Sequence, residues 1–275
     1  MKNILVPIDF SEDSINALEF AINIANKFNA NIRMLHVKSK YSNYESTYNF
    51  KNYNNILNNS IKDYFEIKLK NYKNKLNGKL DYKIRDGKIY REITNQAKYD
   101  DAELIVMGTH GVSGFEELWV GSNAYRVVTN ATCPVVTIRN DFKNKEIKKI
   151  VLPIDTTEET RQKVPFISLL AKAFDAEIFV VTVRESEIPD IIKKLTQYSE
   201  QVIEYISNKG IKCQSYSLVG TNITDITIDY ALKIEADLIA AMTEQTENPK
   251  NIFLGAYAQQ MVNHSTIPVI SLRPA

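Results

Sequence analysis

The residues of this chain best suited to chemistry are glycines. Met107-Gly108-Thr109-His110-Gly111 follows an apolar run, and nine residues later comes Gly121-Ser122, giving the spacing G-x2-G-x9-G-S. Without a Cβ, a glycine backbone reaches positive φ and comes close to a polyphosphate. Free amides of such a loop, and of a helix opening at Gly121, point at the anion, and Ser122 adds a hydroxyl donor. The chemistry so predicted is phosphate binding by backbone, with no lysine in the motif. The plain alternative makes Gly108 and Gly111 turn residues after a strand. Asp9 is then a helix N-terminal carboxylate that complements the dipole. His110 is expected to contribute its backbone amide rather than its imidazole. His36 reads as a packed or partly exposed strand residue, and His264 as a helix-end residue. No Cys/His/Asp cluster has metal-ligand spacing.

The elements that position these residues recur along the chain. Ile4 to Ser11 reads ILVPIDFS, and Ile150 to Thr157 reads IVLPIDTT, an offset of 146. Near the other end of each half, Gly121 pairs with Gly255, Pro134 with Pro268 and Arg139 with Arg273, an offset of 134. The first half therefore holds about 12 extra residues, which the Tyr/Asn-rich stretch at 38–56 accommodates as a surface loop. Strand and helix signals alternate in each half. In the first, strands are expected at 3–8, at NIRMLHV, at 79–85, at ELIVM and at PVVTI. Helices are expected after Ser11, at 57–77, at 88–99 and from Gly121. In the second, strands are expected at 148–153, 176–183, 211–218, 237–241 and 268–272. Such alternation predicts α/β domains with parallel sheets covered on both faces. Ligands then bind beyond the carboxyl ends of the strands, where strand order reverses.

The V-P-I-D opening, the MGTHG segment, the G-x2-G-x9-G-S spacing and the following helix that leads into a CPV strand together resemble the ATP-binding branch of the universal stress protein family, over nearly the whole chain and twice. The resemblance implies two tandem Rossmann-like domains, 1–141 and 147–275, each a doubly wound parallel five-stranded sheet of order 3-2-1-4-5. It implies that Asp9 and the backbone of Val37 engage adenine, that Pro7 shapes that pocket, and that Met107 and Gly108 lie near the ribose. Gly111, Gly121, Ser122 and the amide of Asn123 would hold the phosphates of ATP, with Mg²⁺ carried by them. Family members commonly dimerise through strand 5. The two strand-5 segments here could pair within one chain as a pseudo-dimer, and a homodimer is a further expectation.

At the offset of 134 the second half has Met242 for Gly108, Gln245 for Gly111 and Ala256 for Ser122, keeping only Gly255 for Gly121. Pro153 and Asp155 stand where the first half has Pro7 and Asp9. The second half is thus expected to be structural or to bind something else, and one nucleotide per chain follows.

The 275 residues suit two domains of roughly 135 to 140 each. With 34 basic and 33 acidic side chains, no global field draws nucleic acid or an anionic membrane. MKNILVPIDF lacks a signal-peptide pattern, and no segment reaches the roughly 18 to 20 apolar residues of a membrane helix. A cytoplasmic protein is expected. Cys133 and Cys213 lie in strand-like runs of different halves and read as plain thiols. A nucleotide-dependent regulatory module is the leading functional reading. A slow ATPase or nucleotide-transfer enzyme is second, disfavoured because no Walker-type lysine, general base or arginine finger accompanies the glycines. A scaffold using the Tyr/Asn-rich loop as a contact surface is third.

Overall fold

The computed structural model describes residues 1–38, 50–109, 121–139, 142, 146–185, 187–243 and 256–274, with side chains at 50–58 and 256 excepted. The first half runs β1 (Asn3–Pro7), α1 (Glu12–Phe28), β2 (Asn31–Lys38), α2 (Phe50–Tyr72), β3 (Leu80–Asp86), α3 (Ile89–Tyr99), β4 (Leu104–Gly108), α4 (Ser122–Asn130) and β5 (Val135–Ile138). The second repeats this as β6 (Lys149–Ile154), a 3₁₀ turn (Glu159–Arg161), α5 (Val164–Phe174), β7 (Glu177–Arg184), α6 (Pro189–Ser207), β8 (Cys213–Val219), α7 (Ile223–Lys233), β9 (Leu238–Met242), α8 (Ala256–His264) and β10 (Val269–Leu272).

Local chemistry accounts for the ends of α1. The Ser11 hydroxyl accepts from the Ser14 amide at 3.2 Å, and Glu12 and Asp13 place negative charge in the first turn. Asn29 closes the helix in the left-handed region at φ 51°, and its repeat partner Asp175 closes α5 at φ 52°. The second helix differs from the expected 57–77: it begins at Phe50, within the 38–56 stretch expected as a surface loop, of which residues 39–49 lie outside the described residues. It stops at Tyr72 because the chain must turn past Ala30 to enter β3. A Cβ on Gly78 would lie 2.0 Å from the Ala30 carbonyl oxygen, so only glycine passes there. The Asn26 amide group holds that turn through the Lys75 carbonyl and the Asn77 amide.

The expected pair of separate five-stranded sheets is corrected by a single ten-stranded sheet of order β3-β2-β1-β4-β5-β10-β9-β6-β7-β8. Neighbours are parallel except at the centre, where β5 and β10 pair antiparallel with Val136 opposite Ile270. The physical reason lies in VVTI and VISL, whose eight residues are all buried. Left as edges, these strands would bury unpaired amides and carbonyls. Pairing them completes both ladders, and the Thr137 hydroxyl adds a bond to the Val269 carbonyl at 3.3 Å. Two apolar layers then run across both halves. One packs α1, α2, α5 and α6 on one face of the sheet, and the other packs α3, α4, α7 and α8 on the opposite face. Among the described residues no helix is long and apolar enough to cross a membrane.

Candidate functional site

Parallel strands bring their carboxyl ends to one rim, and the order reverses at β1, which lies between β2 and β4. A cavity of about 200 Å³ opens there, lined by Pro7, Asp9, His36, Val37, Met107 and Gly108, and by Gly121, Ser122 and Asn123 at the start of α4. Eight of the ten residues singled out from the sequence therefore converge. The other two, His110 and Gly111, lie outside the described residues.

Pro7 ends β1 beyond the last β1–β4 rung, Leu5 to Ile105, where a missing N–H costs no ladder bond. The Asp9 Oδ1 accepts from the Ser11 amide at 3.1 Å and from the Ser11 hydroxyl at 2.5 Å. The Leu35 carbonyl points to β1, where the Ile8 amide meets it at 2.8 Å. Strand alternation directs the amide and carbonyl of Val37 to the same side, past the end of β1 and into the crevice.

On the other side β4 ends at Gly108. The Thr109 amide bonds to the Ile138 carbonyl at 3.0 Å, and the Gly121 amide bonds to the Thr109 carbonyl at 2.9 Å. That last bond brings the start of α4 against the end of β4. Both glycines are sterically required: a Cβ on Gly108 would lie 2.6 Å from the Cβ of Asp13, and one on Gly121 would lie 2.9 Å from the Thr109 oxygen. Among the described residues no side chain caps α4, and its first turn holds no acid. Its leading amides are thus donors at a positive dipole end facing the cavity, the arrangement that favours an anion.

Two residues at this site escaped the sequence reading as functional. His36 lines the cavity rather than merely packing in β2. Its Nδ1 faces the Ile8 carbonyl at 2.7 Å, so the neutral ring donates there and keeps Nε2 as an acceptor. Burial pushes its pKa below the usual histidine value, against the opposing pull of that bond and of Asp9. Phe10 stands between Asp9 and Ser11 at φ 73°, a conformation costly for a bulky residue by roughly 1–3 kcal/mol. Its ring lies 4.5 Å from His36 and 4.7 Å from Tyr64, centroid to centroid. The place of His36 beside Val37 at the carboxyl end of β2 was the available signal. Nothing local announced the turn at Phe10.

The second half has its own cavity at the equivalent rim, of about 440 Å³, lined by Pro153, Asp155, Val183, Met242, Thr243 and Tyr257 among others. Asp155 repeats Asp9 in detail: its Oδ1 accepts from the Thr157 amide at 2.7 Å and the Thr157 hydroxyl at 2.5 Å. A third cavity, of about 190 Å³, lies at the amino ends of the first-half strands, where Arg33 is ion-paired with Asp81 and Asp100. That ion-paired cluster joins β2, β3 and the end of α3, at the rim opposite the glycines. Among the described residues no cluster of histidine, cysteine and carboxylate side chains could hold a metal ion. Both cysteines are free and half-buried, and burial pushes the Cys133 thiol up to about 12.

Comparison with known proteins matches this architecture. The model of the universal stress protein family matches residues 1–139 and again residues 146–273. A universal stress protein of Methanocaldococcus jannaschii is 31% identical over 144 residues, 52% of this chain and 84% of its own length. One of Bacillus subtilis is 31% identical over 146 residues, 50% of this chain and 99% of its own length. The crystal structure of a universal stress protein from Archaeoglobus fulgidus has a TM-score of 0.81 at 17% identity, covering 99% of this chain and 98% of its own.

Proposed function

This chain belongs to the universal stress protein family, with the family domain present twice in tandem, and from that premise we propose that its first half is an ATP-binding regulatory module. The observation that carries the reading is the juncture of Gly108, Gly121 and the uncapped start of α4 beside the crevice at the end of β1. Cβ atoms at either glycine would occupy space that neighbouring atoms already fill, and among the described residues no side chain caps the amides of Ser122 and Asn123 at the cavity. Anionic phosphate suits that end. The other end offers the Asp9 carboxylate, the Val37 backbone and the His36 ring, which suit the donor and acceptor edge of adenine. His110 and Gly111 complete the phosphate cradle in this reading, and Mg²⁺ travels with the phosphates.

The regulatory part of the proposal rests on what the residues offer. The described lining supplies groups that hold and orient a nucleotide, so occupancy is the signal, and a partner must bind the occupied and empty forms differently. The paired β5 and β10 make the chain its own pseudo-dimer in this account, and a cytoplasmic location belongs to the same reading. ATP titration of the full chain, alongside a Gly108→Met/Ser122→Ala variant carrying the second half's residues, tests the site. Loss of binding in the variant is expected, and retention of full affinity refutes the assignment.

A further inference from the structure

The second-half cavity at the rim equivalent to the glycine crevice is a rebuilt site, and its construction can be traced through the repeat. Between residues 4 and 32 the two halves align without a gap at the offset of 146. Pro165 thus stands where the first half has Glu19, well inside α1. An interior proline loses a helix hydrogen bond and clashes with the preceding turn. Accordingly α5 starts only at Val164, immediately before Pro165, whereas α1 starts at Glu12, the counterpart of Glu158. The missing turns become the short 3₁₀ segment Glu159–Arg161. In the first half that turn presses Asp13 against Gly108. Its withdrawal makes room for the Met242 side chain in the place of Gly108.

The same stretch carries a buried lysine. Lys163 replaces Ala17, a residue wholly buried in the first half, and is itself only 2% exposed. Lys163 lines the cavity, and among the described residues its ammonium has one hydrogen-bond partner, the Thr160 hydroxyl at 3.1 Å. Among the described residues no carboxylate is in ion-pair contact with it, although the field of Asp155 acts on it. A buried ammonium with unused donors is costly unless an anion meets it. Across the cavity stands Tyr257, in place of Asn123, with its hydroxyl sealed from solvent and unpaired among the described residues. The Thr227 hydroxyl donates to the Ile223 carbonyl at 2.7 Å and acts on the Tyr257 hydroxyl from beyond hydrogen-bond distance. The remaining wall is largely apolar: Pro153, Ile154, Val181, Val183, Ile223 and Met242.

We propose that this cavity is a second ligand site that takes a small organic carboxylate with an apolar body, its carboxylate held by Lys163 and the Tyr257 hydroxyl. A single buried cation matches a single negative charge. A polyphosphate is disfavoured, because Met242 stands where backbone would have to approach and one lysine cannot offset several ligand charges beside Asp155 and Glu159. The site is independent of nucleotide binding in the first half.

The test uses the full chain with 2-naphthoate and its uncharged counterpart 2-naphthamide as probes, followed by calorimetry. Naphthoate is expected to bind more tightly than naphthamide, with no change when ATP is saturating. Lys163→Met should weaken naphthoate about tenfold, as for loss of a charge-assisted hydrogen bond, and Tyr257→Phe by a smaller factor. Naphthamide affinity should survive both substitutions, which certifies that the cavity is still formed. No naphthoate binding at millimolar concentration, equal affinity for both probes, indifference to Lys163→Met, or displacement by ATP would each overturn the proposal.

Discussion

The Cβ that Gly108 lacks would lie 2.6 Å from the Cβ of Asp13 and 2.9 Å from its carbonyl carbon. Strand β4 and the first turn of α1 are therefore in direct backbone contact at the crevice beyond the end of β1. Gly108→Ala cannot be absorbed by a flexible side chain, because the obstacle includes the helix backbone. It should cost about 1–3 kcal/mol of stability and weaken ATP binding together. Denaturant unfolding and ATP titration of the variant check both. A fully stable variant that has lost only ATP binding would mean that the contact matters to the ligand alone.

Lys163 should lower the stability of the native protein at neutral pH. Burial lowers its pKa from 10.5 to about 8, with Asp155 opposing. Below pH 8 the native and unfolded chains both carry the charge, and the native state bears the full desolvation penalty. As pH rises from 8 to 10.5 the native amine is already neutral while the unfolded one loses its proton, and the penalty fades. Lys163→Met should stabilise the protein at pH 7 by up to about 3 kcal/mol, and by progressively less toward pH 10.5. Urea unfolding of both proteins at pH 7 and 10 measures this. An equal gain at both values contradicts it.

Protonation of His36 should oppose folding. Its pKa lies below 6.5 in the native state, so the unfolded chain binds the extra proton first as pH falls. The stability tied to neutral His36 is present above pH 6.5 and is lost as pH falls through the native value. His36→Gln, which keeps a donor for the Ile8 carbonyl, should flatten that part of the stability profile. An unchanged acid limb would remove His36 from the account.

Cys133 should be nearly inert in the folded protein. With its pKa at about 12, the reactive thiolate is scarce at pH 8. In a Cys213→Ser background, Ellman's reagent should modify Cys133 far more slowly in the folded than in the unfolded protein. Rapid labelling without denaturant would contradict the burial described.

Much of this was legible in the sequence, and the exceptions have physical reasons. Periodicity and the repeat marked every strand to within about two residues, because apolar runs such as LIVM and VVTI are local signals. The glycine spacing brought Gly108 and Gly121 to one rim because both follow from strand and helix ends. The merging of two sheets into one was legible only through the family resemblance, which offered strand-5 pairing within one chain, and no local signal marked it. A buried strand looks the same whether its outer neighbour belongs to its own domain or to the repeat, and VVTI meets VISL across 132 positions between Thr137 and Val269. Lys163 was hidden for another reason. A lysine one residue before a helical segment ordinarily reads as solvated, and only the fold shows that this position, like its repeat partner Ala17, is buried.

The central claim is that one crevice of two is built for ATP, and calorimetric titration of the full-length chain with ATP tests it most directly. The account predicts one nucleotide per chain, reduced to none by Gly108→Met with Ser122→Ala and unaffected by Lys163→Met. Two nucleotides per chain, or one that survives the Gly108 and Ser122 substitutions, would contradict it.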